Sequence, residues 1–104
     1  MNIPGLPEAA SQSIIELCSC LPEVEKLILY GSRAKGNYRP SSDVDLTLVA
    51  PTGELSSLLK LETQLDDLLI PWKIDLSLYH QIDNQALKNH IDRVGIVLWD
   101  NSHL

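Results

Sequence analysis

Two short segments of this chain alternate polar and apolar residues with a period of two, and in both the polar side carries aspartate. In the first, Val44, Leu46 and Leu48 share one face while Asp43, Asp45 and Thr47 share the other. In the second, Trp72, Ile74, Leu76 and Leu78 point one way and Lys73, Asp75, Ser77 and Tyr79 the other. A period of two is that of a β-strand, and each strand therefore offers one face to a core. Aspartate is a poor strand residue, so a pair at i and i+2 calls for a reason. If both strands bury their apolar sides under the same helices, Asp43, Asp45 and Asp75 emerge together on the uncovered face of one sheet. A half-open sheet of this kind favours antiparallel or mixed pairing over a doubly wound parallel one.

The remaining elements fit around these two strands. Ala10, Ile14, Leu17 and Leu21 recur at steps of four, three and four, which predicts a helix between Leu6 and Pro22. Val24 to Tyr30 is a short run with Val, Ile and Tyr that stops at Gly31, the pattern of a strand. The turn-rich segment Gly31 to Ser42 then leads into the first alternating strand, which stops before Pro51. Leu58, Leu61, Leu65 and Leu68 form one stripe of a helix from about Glu54 to Leu69, limited by Pro71. Asp83 or Asn84 can cap a last helix presenting Leu87, Ile91 and Val94 before Gly95, and Ile96 to Trp99 can return as a strand. The expected fold class is α/β (α+β), a small mixed sheet with helices packed on one face, in a single domain spanning 1–104.

Composition narrows the function classes. Eight Lys plus Arg against 14 Asp plus Glu give a formal charge of −6, which argues against direct nucleic-acid binding or attraction to anionic lipid. No apolar run approaches the ~18 residues of a membrane span, and no basic residue precedes Lys26, so a basic secretory leader is not expected and a cytoplasmic protein is. Cys18 and Cys20 are two apart in a helical stretch and match neither a C-x-x-C motif nor a zinc quartet, so they read as core or surface thiols. His80, His90 and His103 have no metal-ligand spacing, and His80 and His90 read as turn and helix-surface residues.

The chemistry concentrates between Gly31 and Asp45 and at Asp75. On one strand the Cα atoms of Asp43 and Asp45 would stand about 6.6 Å apart, at ~3.3 Å of rise per residue. Carboxylates converging from that distance suit divalent ions with oxygen ligands at ~2.1 Å and two metals ~3.5–4 Å apart. Without a cation, two carboxylates 4 Å apart repel by about 4 kcal/mol at an effective dielectric near 20, and Asp75 would add to that cost. The plain alternative is that Asp43 belongs to a turn while Asp45 and Asp75 are solvated strand charges. Against it stands the preceding segment, a strand ending in Gly-Ser that runs into a short helix. Free backbone N–H groups at a helix start suit phosphate oxygens. Gly31 permits close backbone approach, Ser32 can cap and donate, and Arg33 and Lys35 add cationic contacts. Phosphate beside divalent metal is the requirement of phosphoryl or nucleotidyl transfer.

Gly31-Ser32-Arg33-Ala34-Lys35-Gly36 followed by Ser42-Asp43-Val44-Asp45-Leu46 resembles the signature of the DNA polymerase beta superfamily of nucleotidyltransferases, in its minimal branch. Pro71-Trp72-Lys73-Ile74-Asp75-Leu76 resembles the strand that brings the third carboxylate, and the likeness runs from about Pro7 to Trp99. Lys35 stands where Arg is often found, which keeps the charge. The resemblance implies a compact mixed sheet that takes ATP as substrate with two Mg²⁺ ions. It implies that Gly31, Ser32, Arg33 and Lys35 hold the triphosphate, that Asp43 and Asp45 hold the metals, and that Asp75 ligates one metal and helps orient or deprotonate the attacking hydroxyl. Minimal nucleotidyltransferases of this kind are typically encoded beside a HEPN-domain RNase toxin. They act as its antitoxin by transferring AMP to a tyrosine hydroxyl near the RNase site.

Nucleotide transfer needs an acceptor, and a chain of this length is expected to take one from a partner polypeptide or a second copy of itself, as a hetero- or homo-oligomer. Two alternatives stand beside protein adenylylation: a binding antitoxin that neutralises its toxin by occlusion, and nucleotidyl transfer to a small molecule. Trp72 and Trp99 read as core packing before base stacking, and Tyr30 and Tyr38, which flank the Gly-Ser turn, read as packing residues.

Overall fold

The computed structural model describes residues 2–101. The element order is α1 (Glu8–Ser19), β1 (Lys26–Tyr30), α2 (Gly31–Lys35), β2 (Val44–Val49), α3 (Leu55–Asp66), β3 (Ile74–Leu78), a single 3₁₀ turn at Tyr79–Gln81, α4 (Gln85–Val94) and β4 (Ile96–Asp100). Every element expected from the sequence is present, with ends shifted by a few residues. The final residues, His103 among them, lie outside the described part of the chain.

The four strands form one sheet in the order β3-β2-β1-β4. β1 pairs antiparallel with both β2 and β4, and β2 pairs parallel with β3, so the sheet is mixed, one of the two arrangements that the alternation favours. Leu27, Leu29, Val44, Leu46, Leu48, Leu76 and Leu78 are all buried on one side, against the Ile14, Ile15 and Cys18 side of α1 and the Leu58, Leu61 and Leu65 stripe of α3. Trp72 and Trp99 pack partly buried against this core, which is the packing role anticipated for them. Cys18 is buried with its thiol pushed up to about 12 by desolvation, whereas Cys20 is exposed. None of the described helices is long and apolar enough to cross a membrane.

One helix departs from the one-sided arrangement. Gly95, which follows α4, lies so close to Ile28 that an added Cβ would stand 2.7 Å from its Cγ2, and His90 of α4 meets the Tyr30 ring edge-on. Ile28 and Tyr30 alternate with Leu27 and Leu29, so α4 covers part of the aspartate face. Crossover handedness supplies the reason. The β2-α3-β3 connection moves outward along the sheet, and the β3-α4-β4 connection moves back past β2 and β1. Two right-handed crossovers that travel in opposite directions place their helices on opposite faces. Asn84 caps α4, its side chain accepting from Leu87 N–H at 3.1 Å.

Candidate active site

The parallel register sets Asp45 directly beside Asp75 on neighbouring strands, while the antiparallel register sets Asp45 beside Tyr30. Asp43 stands one residue before β2, on the same side as Asp45 by strand alternation. Its loop is tied to the approach of β3 by Val44 N–H donating to Lys73 C=O at 2.9 Å. Asp43 and Asp75 are exposed and Asp45 is half-buried. Below them, Thr47 is fully buried and accepts a hydrogen bond from the Ser77 hydroxyl at 3.0 Å, so the two strands are linked by side chains as well as by backbone.

Asp45 is the electrostatic centre of this group. Burial raises its pKa most, repulsion from Asp75 and then from Asp43 raises it further, and His90 lowers it. The Tyr30 hydroxyl is also raised, first by burial and then by Asp75 and Asp45, against a lowering hydrogen bond with Ser77. Three acidic groups thus load one side of a sheet that must hold their negative charge. A divalent cation relieves that load, and oxygen-only donors are the set suited to Mg²⁺. Among the described residues, no three His, Cys, Asp or Glu side chains close round a single point as a ready metal cage. The carboxylates are neighbours with open space between them and solvent, a placement that fits ions held jointly by protein and phosphate oxygens.

Gly31 meets this centre from the other side. It has a left-handed φ of +76°, and a Cβ built there would collide with the Asp45 carboxylate. Only glycine allows the turn and the carboxylate to share that space. Gly31 N–H donates to His90 Nε2 at 3.2 Å, so α4 reaches over and fastens the turn. Contrary to the helix-surface place that its spacing suggests, His90 is half-buried with its ring beside Tyr30, the centroids 6.2 Å apart at 80°. Periodicity could place His90 on a helix face but not reveal that this face turns toward the aspartates.

Gly31 opens the short helix α2. Tyr30 occupies its N-cap position and makes no side-chain capping bond, so Ser32, half-exposed inside the first turn, does not serve as a cap. Lys35 is exposed. Arg33 requires a correction, because it is 1% exposed and its guanidinium is fully engaged with main-chain oxygens. Nε and Nη2 donate to Ser42 C=O at 3.2 and 2.8 Å, Nη2 also donates to Pro40 C=O at 3.3 Å, and Nη1 donates to Pro4 C=O at 2.8 Å. The Tyr38 ring lies 5.0 Å from the guanidinium carbon. With its donors directed inward, Arg33 is no phosphate contact. It clamps the amino-terminal segment and the Asp43 loop to α2, and Tyr38 contributes to that clamp.

Residues 12–104 match the family model described as Polymerase beta, Nucleotidyltransferase. No curated protein sequence matches the chain. Among solved structures, a toxin-antitoxin complex with AMP-PNP aligns with a TM-score of 0.72 at 24% identity, covering 86% of this chain and 73% of that one. The tri-AMPylated Shewanella oneidensis HEPN toxin in complex with its MNT antitoxin aligns at 0.67 with 21% identity, covering 91% and 73%. A nucleotidyltransferase assigned from Sulfolobus solfataricus aligns at 0.58 with 20% identity, covering 91% and 81%. At these identities the structural likeness speaks for the fold, and the family match extends over nearly the whole chain. The chain belongs to the polymerase beta nucleotidyltransferase family.

Proposed function

We propose that this protein is a Mg²⁺-dependent adenylyltransferase that transfers AMP from ATP to a tyrosine hydroxyl of a HEPN-domain partner and thereby acts as its antitoxin. The observation that carries the reading is the register pairing of Asp45 with Asp75 beside Gly31, whose missing Cβ leaves room for the Asp45 carboxylate. The solved complexes of similar fold support the choice of acceptor, since one contains AMP-PNP and another an AMPylated HEPN toxin.

In this reading Asp43, Asp45 and Asp75 hold two Mg²⁺ ions, and Ser32 with the neighbouring amides and Lys35 holds the phosphate tail. Bound metal supplies charge neutralisation on the leaving diphosphate and polarisation of the α-phosphate. The chain's own part is to position and to move a proton. Asp75, exposed at the open side of the pair, accepts the proton of the attacking hydroxyl as its oxygen bonds to the α-phosphorus. The bond from that phosphorus to the bridging oxygen breaks, and diphosphate departs on the opposite side. Nearly all of the rate gain in such a displacement comes from placement and electrostatics.

The test is the intact mass of the purified partner after incubation with ATP and Mg²⁺, with and without this protein. Increments of one adenylate mass that appear only with both present support the reading. An unchanged mass with every nucleotide tried, together with neutralisation of the toxin, transfers the function to occlusion.

A further inference from the structure

The observations at α4 extend beyond the family's sequence signature, since His90 lies 59 positions from the glycine it binds. Two contacts converge on its ring. Nε2 accepts the Gly31 N–H at 3.2 Å, and the ring packs edge-on with that of Tyr30, the residue paired with Asp45 across the strands. Gly31 itself holds a backbone conformation that places its Cα against the Asp45 carboxylate. The peptide that joins the strand end to the phosphate-side helix is therefore held from two directions, by β1 and by α4. With the Gly31 N–H paired to His90, Ser32 and the residues after it are left to meet a phosphate.

We infer that His90 is a positioning residue of the nucleotide site, acting through Gly31 to hold the Gly-Ser turn in register with Asp45. This rests on the nucleotide-binding part of the proposed function and adds a residue to it. His90 touches neither phosphate nor metal in this role. It fixes the peptide whose orientation decides where Ser32 and the first amides of α2 point. The acceptor atom is what matters, so a side chain with an acceptor at similar reach should replace it. Glutamine supplies one through Oε1; leucine fills similar volume without one.

The experiment compares the wild-type chain, His90→Gln and His90→Leu by calorimetric titration with Mg²⁺ and AMP-PNP, and by the amide proton–nitrogen resonance of Gly31. Loss of one positioned hydrogen bond predicts about tenfold weaker AMP-PNP binding for His90→Leu. It also predicts an upfield move of the Gly31 amide proton, with His90→Gln close to wild type in both readouts. Circular dichroism and a thermal melt establish that each variant is folded. Equal affinity of His90→Leu and wild type overturns the inference, as does a His90→Gln variant no better than His90→Leu. A wild-type chain that fails to bind AMP-PNP overturns the proposed function instead. The Gly31 resonance then decides the His90 contact alone, which is refuted if the resonance is the same in all three proteins.

Discussion

Gly31 and Gly36 form a matched pair for testing the centre of the site. Both hold left-handed backbone, at φ +76° and +88°, Gly31 as the first residue of the five-residue helix α2 and Gly36 as its C-cap. A Cβ at Gly36 meets nothing within 4 Å, whereas one at Gly31 runs into the Asp45 carboxylate. Alanine at Gly36 therefore incurs only the backbone penalty, about 1–2 kcal/mol. For a domain of this size that lowers the Tm by roughly 4–15 °C. Alanine at Gly31 incurs the same penalty and must also displace Asp45. The cheapest relief is rotation of that carboxylate, and a misplacement of about 1 Å at a reacting centre costs about 10²-fold in rate. The assay is transfer of label from α-labelled ATP to the partner, run below the melting temperature of both variants. Gly36→Ala should keep transfer within a few-fold of wild type, and Gly31→Ala should lose about 100-fold. Equal transfer by the two variants would refute the claim that Gly31 is glycine for the sake of Asp45.

Two further outcomes follow from the electrostatics and from the buried guanidinium. Asp45→Asn removes a half-buried carboxylate whose charged form is disfavoured by burial and by repulsion from Asp75 and Asp43, so at pH 7 the variant should resist urea better than wild type. Because the folded pKa of Asp45 lies above its unfolded value, wild type loses stability as pH rises through that window. The difference should thus vanish below about pH 4, and a pH-independent difference contradicts the assignment. Arg33→Ala strands the carbonyls of Pro4, Pro40 and Ser42 and should cost about 3–5 kcal/mol in urea unfolding; Arg33→Lys, which cannot span all three, should recover only part of this. A loss below about 1 kcal/mol for Arg33→Ala would contradict the clamping role.

The strands and the aspartate face were legible because a period of two at Asp43 to Val49 and at Trp72 to Tyr79 leaves one reading of which residues share a side. The same half-apolar pattern excludes a doubly wound parallel sheet but does not separate antiparallel from mixed pairing. What stayed hidden depended on contacts between distant parts of the chain. Helical spacing assigns Ile91 inward and His90 to a flank, yet the face of the sheet that α4 covers is set by crossover handedness, which no local window contains. The burial of Arg33 is hidden for a different reason. Arginine is almost never fully buried unless paired, and its partners here are main-chain oxygens of two loops that the residue pattern does not distinguish from any others.

The central claim is that Asp43, Asp45 and Asp75 act together on a nucleotide. Label transfer from α-labelled ATP and Mg²⁺ to the HEPN partner, measured for wild type and for Asp45→Asn and Asp75→Asn variants with unchanged circular dichroism, tests it most directly. Transfer by wild type and a fall of at least about 10²-fold in each variant is the expected result. Undiminished transfer by either folded variant, or none by wild type with its partner bound, would contradict it.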